Sequence, residues 1–110
     1  MYILKLEAIN DSDENYDIVI AAHEDVSYIC RVRDALNDFC CKLPNLNNVW
    51  VTMDKDLDSA TAEKDFNDCV LPLMDYDKAQ KLFARIKDVC NNNTVYIYST
   101  SFSLEEVVSI

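Results

Sequence analysis

The 110-residue sequence contains no glycine. Average usage would place about eight glycines in a chain of this length. Their absence excludes the glycine-rich loops that hold phosphates in P-loop and dinucleotide-binding proteins. Turns must instead rely on Asn and Asp, the other residues that tolerate left-handed backbone. The candidate turns are the segments NDSDEN, PNLNN and NNN.

Long apolar runs are also absent. The longest, residues 18–22, is far too short to span a bilayer, and the first ten residues do not resemble a signal peptide. The cysteine count is odd and no CxxC motif is present, which predicts reduced thiols in a cytoplasmic protein. Helix phase predicts that Cys40 and Cys90 face the core, whereas Cys30 and Cys41 lie at a helix edge; the fifth cysteine is Cys69.

Positive charge is scarce. Ten Lys and Arg stand against twenty Asp and Glu, which gives a net charge of -10. This balance argues against direct binding to nucleic acid or to an anionic membrane surface, since both need basic groups. It favours a basic protein partner, or a surface that serves solubility alone. Two stretches concentrate the acidity: residues 6–30 carry seven acidic and no basic residues, and residues 54–77 carry eight against two.

The strongest periodic pattern lies in His23–Leu43. Apolar residues recur there three or four apart, which predicts one long helix with a single apolar stripe. Glu24 and Asp25 are expected in its first turn, and Pro44 marks its end. The stripe consists of Val26, Ile29, Val32, Leu36, Phe39, Cys40 and Leu43.

Shorter patterns predict the other elements. A second helix, Tyr76–Cys90, can be capped by Asp75. Ser59–Asp68 is polar and fits a loop or one helical turn, while Cys69–Leu73 contains Pro72 and fits an edge strand at best. In the tail, a capping box predicts a short helix over Leu104–Ser109, with a short strand as the alternative. Alternation predicts strands at Tyr2–Ile9, Tyr16–Ala22, Asn47–Leu57 and Thr94–Thr100.

The resulting order is ββαβ(β)αβ within one domain, residues 1–110. It predicts an α+β fold with a mainly antiparallel sheet of four to five strands and two helices on one face.

The parity of Asn47–Leu57 suggests a binding surface. Apolar residues occupy one side of this predicted strand, and Trp50 is in line with three aspartates on the other. An aromatic anchor among regularly spaced carboxylates suits a basic protein partner. The predicted partner-binding residues are Trp50, Asp54, Asp56, Asp58, Glu63 and Asp65.

A calcium-binding module is one alternative, because Asp54–Asp65 has acidic residues at positions 1, 3, 5 and 12 of an EF-hand-like loop. Ser59 replaces the glycine of that loop, Thr61 replaces its aliphatic residue, and the preceding helix is missing. A small structural or assembly subunit is the other alternative.

Enzymatic activity is not predicted. The lone histidine, His23, adjoins Glu24, and such a pair could do acid–base work. However, the sequence shows no nucleophile and no cofactor loop, so no catalytic residue, cofactor or metal is expected. Lys78, Lys81 and Arg85 form a basic ridge that is either a contact site or a solvated helix face.

In its shortness, acidity, Asn and Asp richness and lack of enzyme motifs, the chain resembles the small acidic anti-defence proteins of phages and mobile elements. These include nucleic-acid mimics and anti-CRISPR proteins. The resemblance is one of overall character, and it implies an inhibitor that occupies the nucleic-acid-binding surface of a host protein.

Overall fold

The computed structural model describes residues 1–9, 12, 14–43, 57, 59–95 and 101–108. Within them, the α+β prediction is confirmed by a four-stranded antiparallel sheet and three helices, one more helix than predicted. In chain order the elements are β1 (Tyr2–Ile9), β2 (Asn15–His23), α1 (Val26–Cys41), α2 (Ala60–Val70), α3 (Tyr76–Asn92), β3 (Thr94–Val95) and β4 (Phe102–Glu106).

Strand β1 is the centre of the sheet. It pairs with β2 along one edge, and with β4 and β3 along the other, always antiparallel. Its side chains alternate, so Leu4, Leu6 and Ala8 are fully buried against the helices. The intervening side chains, from Ile3 to Ile9, are half-buried on the opposite face.

β2 is an edge strand, and its pairing with β1 is irregular. Leu4 pairs with Ala21 but Lys5 pairs with Val19, so Ile20 is an extra residue on β2. The Arg85 side chain of α3 donates a hydrogen bond of 3.0 Å to the carbonyl oxygen of Val19. A bulge and a capped carbonyl both make an edge strand a poorer template for unwanted pairing.

Helix α1 follows its predicted stripe. Asp25 is its N-cap and accepts hydrogen bonds from the backbone N–H groups of Ser27 and Tyr28, so the helix begins after Asp25 and not at His23. Val26, the first stripe residue, is exposed. The buried residues of this helix are Ile29, Val32, Ala35, Leu36, Phe39 and Cys40.

Helix α2 corrects the loop prediction. Ser59 Oγ accepts a hydrogen bond of 3.0 Å from the Ala62 N–H, and the helix then continues for 11 residues. Ala62, Phe66 and Val70 are four residues apart and all buried, which is the spacing of one helix face. Cys69–Leu73 is therefore the end of α2 and a turn, not an edge strand; Pro72 follows the helix end, where proline is common.

Helix α3 has the predicted cap, because Asp75 accepts a hydrogen bond of 2.8 Å from the Lys78 N–H. It extends two residues beyond the predicted end. The Asn93 side chain donates to the carbonyl of Val89 at 2.9 Å, while its backbone is extended, with φ of -142°. In this glycine-free chain, asparagine ends the helix through its amide group, not through left-handed backbone.

The tail is a strand, so the predicted short helix is wrong and its alternative is right. Phe102–Glu106 pairs with the free edge of β1, where Leu6 faces Phe102 and Tyr2 faces Glu106. A local capping signal is outweighed here by backbone pairing to a distant strand. Of the predicted strand Thr94–Thr100, only Thr94–Val95 lies within the described residues.

The predicted strand Asn47–Leu57 lies outside the described residues except for Leu57, which is helical and buried. The core joins the sheet to all three helices. α1 and α3 pack on the strands, and α2 packs on α1 and α3. The rings of Phe39 and Phe66 meet edge to face at 5.4 Å, and those of Phe66 and Phe83 lie 4.7 Å apart. Among the described helices, none has the length and apolar character that a membrane span requires.

Candidate functional site

The predicted partner-binding residues are divided by the structure. Trp50, Asp54, Asp56 and Asp58 lie outside the described residues. Glu63 and Asp65 are both in α2, but two helical positions place side chains roughly 200° apart around the axis. These two carboxylates therefore do not share one surface.

The residues one helical turn away show which helix each carboxylate lies near. Glu63 is one turn from Asn67, which accepts a hydrogen bond of 3.3 Å from Gln80 on α3. Asp65 is one turn from Cys69, on the side of α1. Burial raises the pKa of the Cys69 thiol, Lys42 lowers it, and the carboxylates of Asp38 and Asp65 raise it.

The described half of the calcium-loop candidate does not have EF-hand geometry. Ser59 occupies the glycine position, but its backbone is extended, with φ of -135° and ψ of 152°, and it caps α2. The next residues are already helical, so their carbonyls bond within the helix and cannot converge on an ion. Among the described residues, no three His, Cys, Asp or Glu side chains are placed to hold a metal ion.

The histidine–carboxylate pair is not formed either. His23 Nδ1 accepts a hydrogen bond of 2.9 Å from the backbone N–H of Asp25, and its ring lies 4.7 Å from the Tyr28 ring. His23 is thus the last residue of β2, held against the start of α1, and has no bond to Glu24 in the described structure. The prediction that the chain is not an enzyme stays a prediction.

A different acidic surface is assembled by the sheet. We call it the outer sheet face: the side of the strands turned away from the helices. On β1 it carries Lys5 and Glu7, on β2 Asp17, and on β4 Glu105. Three carboxylates thus surround one lysine, and the apolar side chains among them are those of Ile3, Ile9 and Val19.

Lys5 bridges the three strands of this face. Its Nζ lies 3.1 Å from the Asp17 carboxylate and 3.3 Å from that of Glu105. Hydrogen bonding to Asp17 is the largest cause that raises the pKa of Lys5, and the bond to Glu105 adds to it. Lys5 therefore stays protonated at neutral pH and partly offsets its two neighbours.

Glu7 is the third carboxylate of this face. It pairs directly with Asp17 across the β1–β2 ladder, which brings two negative side chains about 5 Å apart at their Cβ atoms. Lys5 offsets the repulsion between them, since its Nζ bonds to the Asp17 carboxylate. The first acidic stretch of the sequence thus supplies both members of this cross-strand pair. The stretch is visible in the sequence, but which of its residues face each other is not, because the pairing depends on strand register.

Comparison with known proteins yields no match: no protein-family profile, no curated protein and no solved structure corresponds to this chain.

Proposed function

We propose that this protein is a protein–protein interaction module that binds a basic partner on the outer sheet face. The observation that carries the proposal is the excess of carboxylates on this face, where Glu7, Asp17 and Glu105 accompany one lysine. Lys5 bonds to Asp17 and to Glu105, so one lysine stands among three carboxylates and the face stays negative. A cationic side chain of a partner would be attracted to that excess of negative charge. A lysine or arginine of the partner is the group that fits.

The rest of the face suits a protein surface. It is broad, since it extends over three strands, and it mixes charge with apolar area. Val19 is 46% exposed, and Ile3 and Ile9 are half-buried beside the carboxylates. Interfaces commonly combine an apolar centre with a polar rim. The net charge of -10 would also attract a basic partner over distance and speed its association.

The resemblance to anti-defence proteins suggests a specific form of this function. In that form the partner is a nucleic-acid-binding protein, and the outer sheet face occupies its basic groove. Nucleic acid and this protein would then compete for the same surface. Competition distinguishes an inhibitor of this kind from a module that binds elsewhere on a basic protein.

The experiment starts with capture of the partner from the native host and its identification by mass spectrometry. Association rates are then measured for the wild type and for the double variant Glu7→Gln with Asp17→Asn. At roughly 0.05 M salt we expect association of the variant to be about tenfold slower, with a smaller difference at roughly 0.5 M salt, where charges are screened. A nucleic acid bound by the partner should slow the wild-type association further.

The matched control is Glu63→Gln with Asp65→Asn. It removes the same charge from α2 and tests the two described residues of the predicted site. An unchanged rate in this control, with a slowed rate in the outer-face variant, supports the proposal. The reverse result would assign binding to α2 and refute the proposal. If both variants associate equally slightly more slowly than the wild type, the acidic residues act only through the net charge of the chain, which also refutes the proposal.

A further inference from the structure

A pocket opens between the amino-terminal ends of α1 and α3. Both helices lie wholly within the described residues, and no Cα atom of α1 comes within 8 Å of a Cα atom of α3. Farther along, side chains bridge this separation, since the rings of Phe39 and Phe83 lie 6.4 Å apart. At the helix starts the gap remains as a pocket of about 510 Å³. That volume is typical of small-molecule sites.

Two cations line this α1–α3 pocket from different helices. Arg31 is in the second turn of α1, and Lys78 is in the first turn of α3. Within the described part of the chain, neither side chain makes an ion pair or a hydrogen bond. Acidic residues outnumber basic ones two to one in this sequence, and most other described cations do have partners. Two unpaired cations on one pocket therefore stand out.

One carboxylate, Asp25, also lines the pocket and offsets the two cations only in part. Asp25 is committed to the start of α1, where its Oδ1 accepts the N–H of Ser27 at 2.9 Å and that of Tyr28 at 3.3 Å. Those bonds hold it in the cap. The pocket consequently has two positive charges against one engaged carboxylate.

His23 adds a polar donor. Its Nδ1 accepts the Asp25 N–H at 2.9 Å, so in the neutral imidazole the hydrogen resides on Nε2. The tilted contact with Tyr28, at 4.7 Å between ring centres, holds the imidazole in place. Because His23 lines the pocket, its Nε2–H is a third group able to donate to an anion.

The remaining wall is apolar. Leu73 and Met74 come from the turn between α2 and α3, and with Tyr28 they pack partly against the core. A backbone hydrogen bond of 2.9 Å from Leu73 N–H to the Val70 carbonyl holds this turn. The pocket thus combines donors from both helices and from His23 with an anchored apolar wall, as ligand sites commonly do.

We propose that the α1–α3 pocket binds a small organic anion. A carboxylate or phosphate group would meet Arg31, Lys78 and His23, and an aromatic or aliphatic body would lie on Leu73 and Met74. An inorganic ion would leave the apolar wall unused, and a neutral ligand would leave the two cations unpaired. This site is separate from the outer sheet face, so its test does not depend on the proposed function.

The test is isothermal titration calorimetry of the full chain with four probes: phenyl phosphate, benzoate, inorganic phosphate and benzyl alcohol. We expect saturable binding of phenyl phosphate or benzoate, and weaker binding of inorganic phosphate and benzyl alcohol. The tighter of the two aryl anions identifies the preferred head group. The double variant Arg31→Gln with Lys78→Gln should weaken that binding at least tenfold.

The matched control is Lys64→Gln with Lys81→Gln, which also removes two positive charges but leaves the pocket lining unchanged. The affinity of this control for the tighter aryl anion should stay within about twofold of the wild-type affinity, because exposed charges outside the pocket are screened. Equal losses in the two double variants would overturn the proposal, as would benzyl alcohol or inorganic phosphate binding as tightly as the aryl anions. Absence of saturable binding of both aryl anions to the wild type would also overturn it.

Discussion

The amide side chain of Asn37 connects α1 to the beginning of β4. Its Nδ2 donates to the carbonyl oxygen of Phe102 at 3.1 Å, and its Oδ1 accepts the Phe102 N–H at 3.0 Å. The Asn37 side chain thus provides hydrogen-bond partners for both the N–H and the carbonyl of Phe102, a residue that is 2% exposed. Replacing it tests whether this pair of bonds holds the tail strand on the sheet.

Asn37→Asp is the sharpest change, since it keeps the shape and removes one donor. At neutral pH the new carboxylate still accepts the Phe102 N–H. Its other oxygen, however, faces the Phe102 carbonyl, so a hydrogen bond worth about 1 kcal/mol is lost and a buried carbonyl loses its partner at a further cost of about 1–3 kcal/mol. We expect a loss of about 2–4 kcal/mol, a large share of the roughly 5–15 kcal/mol typical of a domain.

The loss should depend on pH. A protonated carboxyl can donate to the Phe102 carbonyl, so folding raises the pKa of the introduced group above its ordinary value. The folded state then binds the proton more tightly than the unfolded state does. Protonation therefore favours folding, and the deficit of the variant should shrink as the pH falls from 7 towards about 5.

Urea denaturation of the wild type, Asn37→Asp and Asn91→Asp measures these differences at both pH values. Asn91 is exposed near the end of α3, so the same change there should cost only a few tenths of a kcal/mol. If Asn37→Asp costs no more than Asn91→Asp, or if its deficit is the same at both pH values, the amide does not hold β4.

Four other measurements follow from the structure. Leu36 is fully buried, so Leu36→Ala should cost about 2–5 kcal/mol in urea denaturation, and a cost under about 1 kcal/mol would contradict its place in the core. Burial raises the pKa of Cys40 to about 12 from 9.0, so the thiol ionises first in the unfolded state. The free energy of unfolding of the wild type should therefore fall by about 1 kcal/mol relative to that of Cys40→Ala as the pH rises from 8 to 10. Iodoacetamide should modify the exposed Cys41 well before the buried Cys40, as peptide mass spectrometry would show. Calcium should leave the melting temperature unchanged, because Ser59 caps a helix. A rise in melting temperature at micromolar calcium would instead support a calcium-binding loop at Asp54–Asp65.

The elements that could be predicted have long, uniform patterns. Tyr2–Ile9 was predicted with its observed bounds, and the stripe of α1 and the Asp75 cap of α3 are local signals that the structure keeps. Helix α2 was missed because its apolar positions, 62, 66 and 70, are thinly spread among polar residues. The same spacing, together with Ser59 as a cap, was the signal that could have revealed it.

The tail shows a limit of local reasoning. Ser103 and Glu106 match a capping box, yet both belong to a strand, because β1 offers an unpaired edge a hundred residues earlier in the chain. The same limit applies to the outer sheet face, because separate strands form it. Parity along one strand can be read from sequence, but the opposition of Glu7 and Asp17 depends on the register between two strands.

The two candidate sites also show which ligands the net charge of the chain can exclude. A charge of -10 opposes binding of a nucleic acid, since a polyanion extends over the whole negative surface. It does not oppose a small anion in the same way, because at physiological salt charges farther than about 8 Å are largely screened. A ligand in the α1–α3 pocket would interact mainly with Arg31, Lys78 and His23, and a basic partner on the outer sheet face mainly with Glu7, Asp17 and Glu105. The sign of the whole chain would thus select among large partners, whereas the local arrangement of side chains would select a small ligand.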